Sequence, residues 1–445
     1  MRRTRRATAI AAGALCATLA TGTAARADGP GTESFFGAPS NDSPVIPNNA
    51  QFENPAGRSS SFSQQGQVNQ TGSFFQKLGT NDRTCNTCHL ASDGWTISAR
   101  SAKRLFNETG GLAALFQFDG QNCRNQDLST VQNRRIASSV MLAKALVRFD
   151  KTFPAAGEIE IVASEGTYCN PIDASNHVVY RRPLPVVNFG ALSSVLWDGR
   201  GTGLAPTPAG GPAVVFTNAT RLHAQAMVPP TPEQVADGAA FMAALNNAQI
   251  FDDRAGRLDA RGGRGGAEIL SLEPLVGAPG FNLFDAWLGL VGNSERMRAR
   301  AQIARGQVLF NTLEFAAPTP SGVGTCAACH NVPNQGNGAA FGIFDIGTSD
   351  AMQRTPDLPL YTLRNKLTGE TRQTSDAGAA LATGLWADIG KFKVPMLRGL
   401  ASRAPYFHNG TAEDLESVVD FYDERFEIGL TLAEREDLVA FLRAL

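Results

Sequence analysis

The chain has 445 residues, with 40 Lys and Arg against 41 Asp and Glu, and only seven Cys and five His. A near-neutral balance excludes the strongly basic surface on which nucleic-acid binding depends. Beyond the N-terminus no stretch is long and apolar enough to span a bilayer.

Residues 1–27 read as an export signal. MRRTRR is a basic leader, ATAIAAGALCATLA an apolar run, and ARA before Asp28 a small-residue cleavage site. Cleavage after Ala27 removes five Arg and Cys16, leaving 35 basic against 41 acidic residues, a net charge of −6, and six cysteines. The destination is an oxidising compartment, the periplasm in a Gram-negative cell.

Residues 28–72 are rich in Ser, Asn, Gln, Gly and Pro. SSSFSQQGQVNQ has neither helical nor strand period, so an extended polar arm is expected. Residues 73–293 form a first region. It has predicted helices at 131–149 and 232–249, the second with Thr231 as N-cap, Pro232 at N1 and Gln234 completing a capping box. GLAPTPAGGPA (203–213) and RGGRGG (261–266) read as loops.

Residues 294–445 form a second region, opening with a predicted helix near 295–310. Thr411 and Asp414 form a predicted capping box before Leu415, Val418, Val419 and Tyr422, which share one helix face. Thr431 and Glu434 repeat the device before the stripe Leu438, Phe441, Leu442 and Leu445.

Four of the six remaining cysteines lie in RTCNTCHL (83–90) and GTCAACHN (324–331). C-x-x-C-H is the attachment pattern of haem c: both thiols form thioethers and the adjacent imidazole reaches the iron. A redox dithiol does not need the histidine, and a zinc site would need two further ligands per copy. Two covalent haems are therefore expected, one on Cys85, Cys88 and His89, the other on Cys326, Cys329 and His330. Cys123 and Cys169 are the spare pair, expected as a disulfide. The expected fold is mainly α, with two cytochrome c-type haem domains, long irregular loops and little strand. Opposite the irons stand His177, His223, His408 and the Met and Tyr residues as candidates. A ligand on both faces makes an electron carrier, whereas an open face permits peroxide or oxygen chemistry.

Two further segments carry a resemblance. GKFKVPMLRGLASRAPYFHNGTAEDLESVVDFY (390–422) resembles the C-terminal signature of the bacterial di-haem cytochrome c peroxidases, with its FKxPxLR and PYFHDG elements. PLPVVNFGALSSVLWDGR (183–200) resembles that family's segment ending in FWDGR. The family includes the MauG branch, which oxidises a protein substrate. With both C-x-x-C-H units in order, the resemblance covers most of residues 73–445, leaving out 110–175.

The resemblance implies that Trp197 carries electrons between the haems and that Tyr422 is the axial ligand of the C-terminal haem, with Met396 and Met352 competing. It implies His408 as a support near the haems and His177 as a removable ligand of the N-terminal haem, the peroxide site. A core indole, a tyrosine on an apolar stripe and a loop histidine are the plainer alternatives for Trp197, Tyr422 and His177. The Gln and Glu that the family places after its WDGR segment are missing, so His223 or Gln225 is the acid–base candidate. The family's calcium uses an Asn and two carbonyls. The carbonyls of Arg403 and Pro405 match, but Arg182 stands in the place of the Asn.

The resulting expectation is a periplasmic enzyme that reduces hydrogen peroxide. Electrons would come through the C-terminal haem from a small soluble donor such as a cytochrome c or a cupredoxin, and the protein would form a homodimer. A non-enzymatic electron carrier and a MauG-like oxidant are the rivals.

Overall fold

The computed structural model describes residues 40–166, 168–169, 177–189, 192, 195–200, 211–338 and 342–445. The export signal, the start of the polar arm and most of the 203–213 loop lie outside these residues. About 34% of the described residues are helical and 18% strand, so the fold is mixed and the expected mainly α class is not confirmed.

The polar arm accounts for much of the unexpected strand. Val45–Pro47 pairs with Gln67–Asn69. Gln51–Asn54, Gly57–Ser63, Leu245–Asp252 and Gly256–Arg257 form a four-stranded antiparallel sheet in that order. Ser59, Ser60 and Ser61 are completely buried. Their hydroxyls are satisfied internally. Ser61 accepts from the Trp95 indole at 2.8 Å, Ser60 from the Ala267 amide at 3.3 Å, and Ser59 from the Ser402 hydroxyl at 3.1 Å. Small polar side chains buried this way leave no apolar alternation to read, although the strand is internal.

The two predicted helices of the first region both stop early. Val131–Ala137 and Ser139–Lys144 are separate helices, and Val147–Lys151 is a strand paired with His177–Arg181. Pro232–Ala244 begins with the expected capping box, but residues from Leu245 pair with Gly57–Ser63. In both places a partner strand distant in sequence overrides local period. The disulfide is present, joining Cys123 to Cys169 with Cα atoms 5.3 Å apart.

One small sheet joins the two halves of the chain: Ile159–Glu165 lies beside Leu360–Asn365, which pairs with Thr371–Thr374. Around the second C-x-x-C-H unit, Glu295–Thr312, Leu415–Phe426 and Leu432–Arg443 close a core of Phe310, Leu415, Phe441 and Leu442. That core also takes in Leu258, Phe281, Phe284 and Trp287 from before residue 294. The first of the two final helices is capped by Asp414 itself, which accepts from the Ser417 amide at 2.8 Å. The predicted cap, Thr411, bonds the Asn409 side chain instead, at 2.9 Å. Thr431 and Glu434 form their capping box as expected.

The Glu295–Thr312 and Leu432–Arg443 helices touch through backbone at Gly306, where an added Cβ would stand 1.9 Å from the Asp437 carbonyl oxygen. Gly306→Ala gains roughly 1 kcal/mol of helix propensity but overpacks a rigid contact, which costs about 1–3 kcal/mol. The urea midpoint, followed by circular dichroism, should fall. A midpoint at or above wild type would show that the helices separate freely.

Candidate functional site

Each C-x-x-C-H unit is a single tight turn. Thr84 caps Cys85–Thr87, and the His89 amide donates to the Cys85 carbonyl at 3.1 Å. Thr325 caps Cys326–Cys329, and the His330 amide donates to the Cys326 carbonyl at 3.0 Å. The turn brings both thiols and the imidazole of each unit to the wall of one cavity.

The imidazoles are held alike. His89 Nδ1 lies 3.0 Å from the Trp95 carbonyl, and His330 Nδ1 bonds the Gly336 carbonyl. A carbonyl only accepts, so Nδ1 carries the proton and Nε2 is left with its lone pair. Burial lowers both imidazoles to about 4, so they are neutral. Burial pushes the Cys85 and Cys326 thiols up to about 12 and Cys88 to about 11, so they are thiols and not thiolates. This is unlike a redox dithiol, whose attacking thiol is activated by a lowered pKa. Among the described residues no group of three His, Cys, Asp or Glu could hold a metal ion.

The cavities measure about 1690 Å³ at the N-terminal unit and 1630 Å³ at the C-terminal one, mouths included. Their walls are largely apolar, with Phe74, Phe149 and Phe216 in the first and Phe310, Val419 and Leu438 in the second. Paired thiols, a neutral imidazole with a free Nε2 and an apolar slot fit a covalently attached haem at each unit.

Trp197 lines both cavities, as do Arg182, Lys393 and Met396. The Trp197 indole N–H donates to the Arg182 carbonyl at 2.7 Å, and its own carbonyl accepts from the Lys393 amide at 2.8 Å. The ring is thus fixed in the partition.

In the N-terminal cavity, His223 Nδ1 lies 2.6 Å from an Asp119 carboxylate oxygen. Asp119 also forms a buried ion pair with Arg83, which donates to the Leu115 carbonyl at 3.1 Å and the Gln117 carbonyl at 2.6 Å. Burial alone would raise the Asp119 carboxyl, but His223 and Arg83 outweigh it and hold the group below its usual range. Gln225 lines neither cavity; its carbonyl accepts from Thr80 at 3.1 Å. Asp119 was invisible in the sequence, since QFDGQN matches no motif.

His177 is also absent from both walls. It is completely buried, stacked on Phe153 at 5.4 Å and edge-on to Tyr361 at 4.2 Å. Its strand, His177–Arg181, turns the ring into the small core that joins the two halves of the chain.

In the C-terminal cavity, Tyr422 projects from Leu415–Phe426, and burial raises its phenol above the usual range. His408 stacks on Phe392 at 3.8 Å and lies 6.2 Å from Trp197, centroid to centroid. Its Nδ1 lies 3.4 Å from the Thr348 hydroxyl, and its buried Nε2 has no partner among the described residues. The Met396 sulfur accepts from Asn188 at 3.0 Å, and Met352 is 95% exposed. The Arg182 guanidinium donates to the carbonyls of Arg403 and Ile97 at 2.8 Å and of Lys144 at 3.0 Å. An organic cation therefore already sits on one of the carbonyls that the resemblance assigns to calcium.

No family model matches the chain. The chain is 33% identical over 178 residues to cytochrome-c peroxidase IdrP1 of Denitromonas iodatirespirans, covering 36% of this chain and 44% of that protein. It is 34% identical over 136 residues to IdrP2 of the same organism, covering 28% and 37%. It is 29% identical over 130 residues to the methylamine utilization protein MauG of Paracoccus denitrificans, covering 28% and 31%. The chain thus matches less than half the length of these curated relatives. A solved MauG-like protein associated with microbial copper homeostasis aligns at 18% identity with a TM-score of 0.34, over 62% of this chain and 76% of that one.

The partition rests on a buried ion network. Arg181 bonds Asp376 at 2.6 and 2.8 Å and Asp198, the neighbour of Trp197, at 2.5 Å; Arg200 also pairs with Asp198. Burial alone would raise both carboxyls, but Arg181, with Arg200 at Asp198, holds them below the usual range. Depressed carboxylates add stability above their unfolded value of about 4 and lose it as pH falls through the folded values. Arg181→Met should cost about 3–5 kcal/mol at neutral pH. The deficit should shrink as pH drops below about 4. Urea titrations at several pH values check this; a deficit independent of pH would exclude the network as its source.

Proposed function

We propose, for a chain that belongs to the di-haem cytochrome c peroxidase family with its MauG branch, that it is an exported enzyme reducing hydrogen peroxide at the N-terminal cavity with electrons received at the C-terminal one. The observation that carries this reading is Trp197, a fixed indole forming part of both cavity walls. An asymmetry supports it: one cavity presents a carboxylate–imidazole pair, the other a buried phenol. The Cys123–Cys169 disulfide supports export to an oxidising compartment. Among the described residues no helix is long and apolar enough to cross a membrane.

A haem held by Cys85, Cys88 and His89 would supply the electron-transfer chemistry for cleaving the O–O bond. The chain supplies proton handling and order. Overall, hydrogen peroxide, two electrons and two protons give two waters. With Nδ1–H pointed at Asp119, His223 Nε2 is the free base that takes a proton from peroxide and returns it to the departing oxygen. Asp119 fixes that tautomer, and Arg83 keeps Asp119 ionised. In the other cavity His330 and Tyr422 would hold the second haem, and His408, stacked on Phe392, lies beside Trp197. The proposed donor is a small soluble redox protein such as a cytochrome c or a cupredoxin.

A second reading, oxidation of a protein or organic substrate, is favoured by two observations: the phenol of Tyr422 in the C-terminal cavity, and the absence of His177 from the N-terminal one. Both readings leave the N-terminal iron open before any reduction. Low-temperature EPR of the oxidised holoprotein should therefore show a high-spin ferric signal. Low-spin signals alone, in both the oxidised and half-reduced protein, would make it an electron carrier. His223→Ala should slow peroxide turnover by about 10²–10⁴-fold at unchanged haem content, and Asp119→Asn should slow it with an altered pH profile. Unchanged turnover in both variants would remove the pair from the reaction.

A further inference from the structure

The partition between the cavities carries positive charge that the described residues do not neutralise. Arg182 and Lys393 line both cavities, and Arg403 lines the C-terminal one. All three are buried, at 5%, 6% and 7% exposure, and none has an ion-pair partner among the described residues. The Arg182 guanidinium is spent on three backbone carbonyls, which cancel no net charge. Arg403 donates to the Met396 carbonyl, and its Nε has no partner. The Lys393 ammonium makes no hydrogen bond among the described residues, although its backbone amide is fixed on Trp197. Burial pulls Lys393 down to about 7 and each arginine to about 10.

Two other buried cations of this chain have carboxylate partners, whereas buried Arg398, which lines neither cavity, bonds only the Asn334 carbonyl among the described residues. Arg181, adjacent to Arg182, has two buried carboxylates, and Arg83 has Asp119. Buried charge is costly unless paired. Cations left unpaired on a cavity wall mark where an anion from outside the chain belongs.

We propose that Lys393, Arg182 and Arg403 form a carboxylate-binding strip that takes the propionate groups of the two haems, with Lys393 serving both. This rests on the reading that each cavity holds a haem. The strip also places its charge against Trp197.

The test is a spectroelectrochemical titration of the purified holoprotein, preceded by a pyridine haemochrome count. A cation beside a haem favours its reduced state, so Lys393→Met should lower both midpoint potentials and Lys393→Arg should restore them. Arg403→Gln should lower only the haem of the C-terminal cavity. If Lys393→Met does not fold, Lys393→Gln reads the same potentials. Two haems per chain with both potentials unmoved by loss of Lys393 would overturn the strip and leave the two-haem reading intact. One haem per chain would overturn that reading, and the strip with it.

Discussion

The two cavities share part of one wall, so single side chains stand between them. Trp197, Arg182 and Lys393 each face both sides. A wall this thin has no core of its own, so it is held from its ends. The Arg181 network ties it to Asp376 of the second half, and the Arg182 amide donates to the His408 carbonyl at 2.7 Å. The sheet of Ile159–Glu165 and Leu360–Asn365 sits behind that network, with His177 packed on Tyr361. His177 is therefore best understood as part of the partition's buttress and not of a haem pocket.

The same demand explains the interleaving of the two halves. Leu445, completely buried, offers its carbonyl to the amides of Gln249 and Gly399 at 3.2 and 2.9 Å, so the last residue is stapled to the sheet built from the polar arm. Were the halves free to rotate, the indole could not keep a fixed distance to both cavities, which the proposed relay through it requires. The buried serines of Gly57–Ser63 belong to this scheme: small side chains let the strand sit inside, against Trp95 and Ser402, without displacing the partition.

What the sequence revealed follows from how local each feature is. The C-x-x-C-H turns, the Thr231 and Thr431 caps and the Leu415–Phe426 stripe depend on residues three or four apart, and period and spacing expose them. The disulfide followed from counting cysteines. The strands at 57–63 and 245–252 pair with each other across nearly two hundred residues and carry polar side chains satisfied only inside the fold, so local period pointed elsewhere. The site divides in the same way. The C-x-x-C-H cysteines and histidines were legible as attachment candidates, as was the candidacy of Trp197, His223 and Tyr422. Asp119, which gives His223 its orientation, carries no motif. Lys393 and Arg403 lie inside a segment read for its resemblance, and only their lack of a carboxylate partner among the described residues sets them apart.

The cation strip and the relay are electrostatically linked. Uncompensated positive charge beside an indole raises the cost of removing an electron from it, more so in a low-dielectric partition than in water. With Arg182 and Lys393 lacking ion-pair partners among the described residues, Trp197 would be a poor conduit in the proposed relay. Anionic groups arriving from both cavities neutralise the strip and ease electron transfer through the ring. A chain loaded in only one cavity would retain part of the unpaired charge, so the proposed relay would become effective only with both cavities filled. That coupling gives the thin partition a reason to carry charge at all. An apolar wall would be easier to fold, but it would conduct regardless of what the cavities hold.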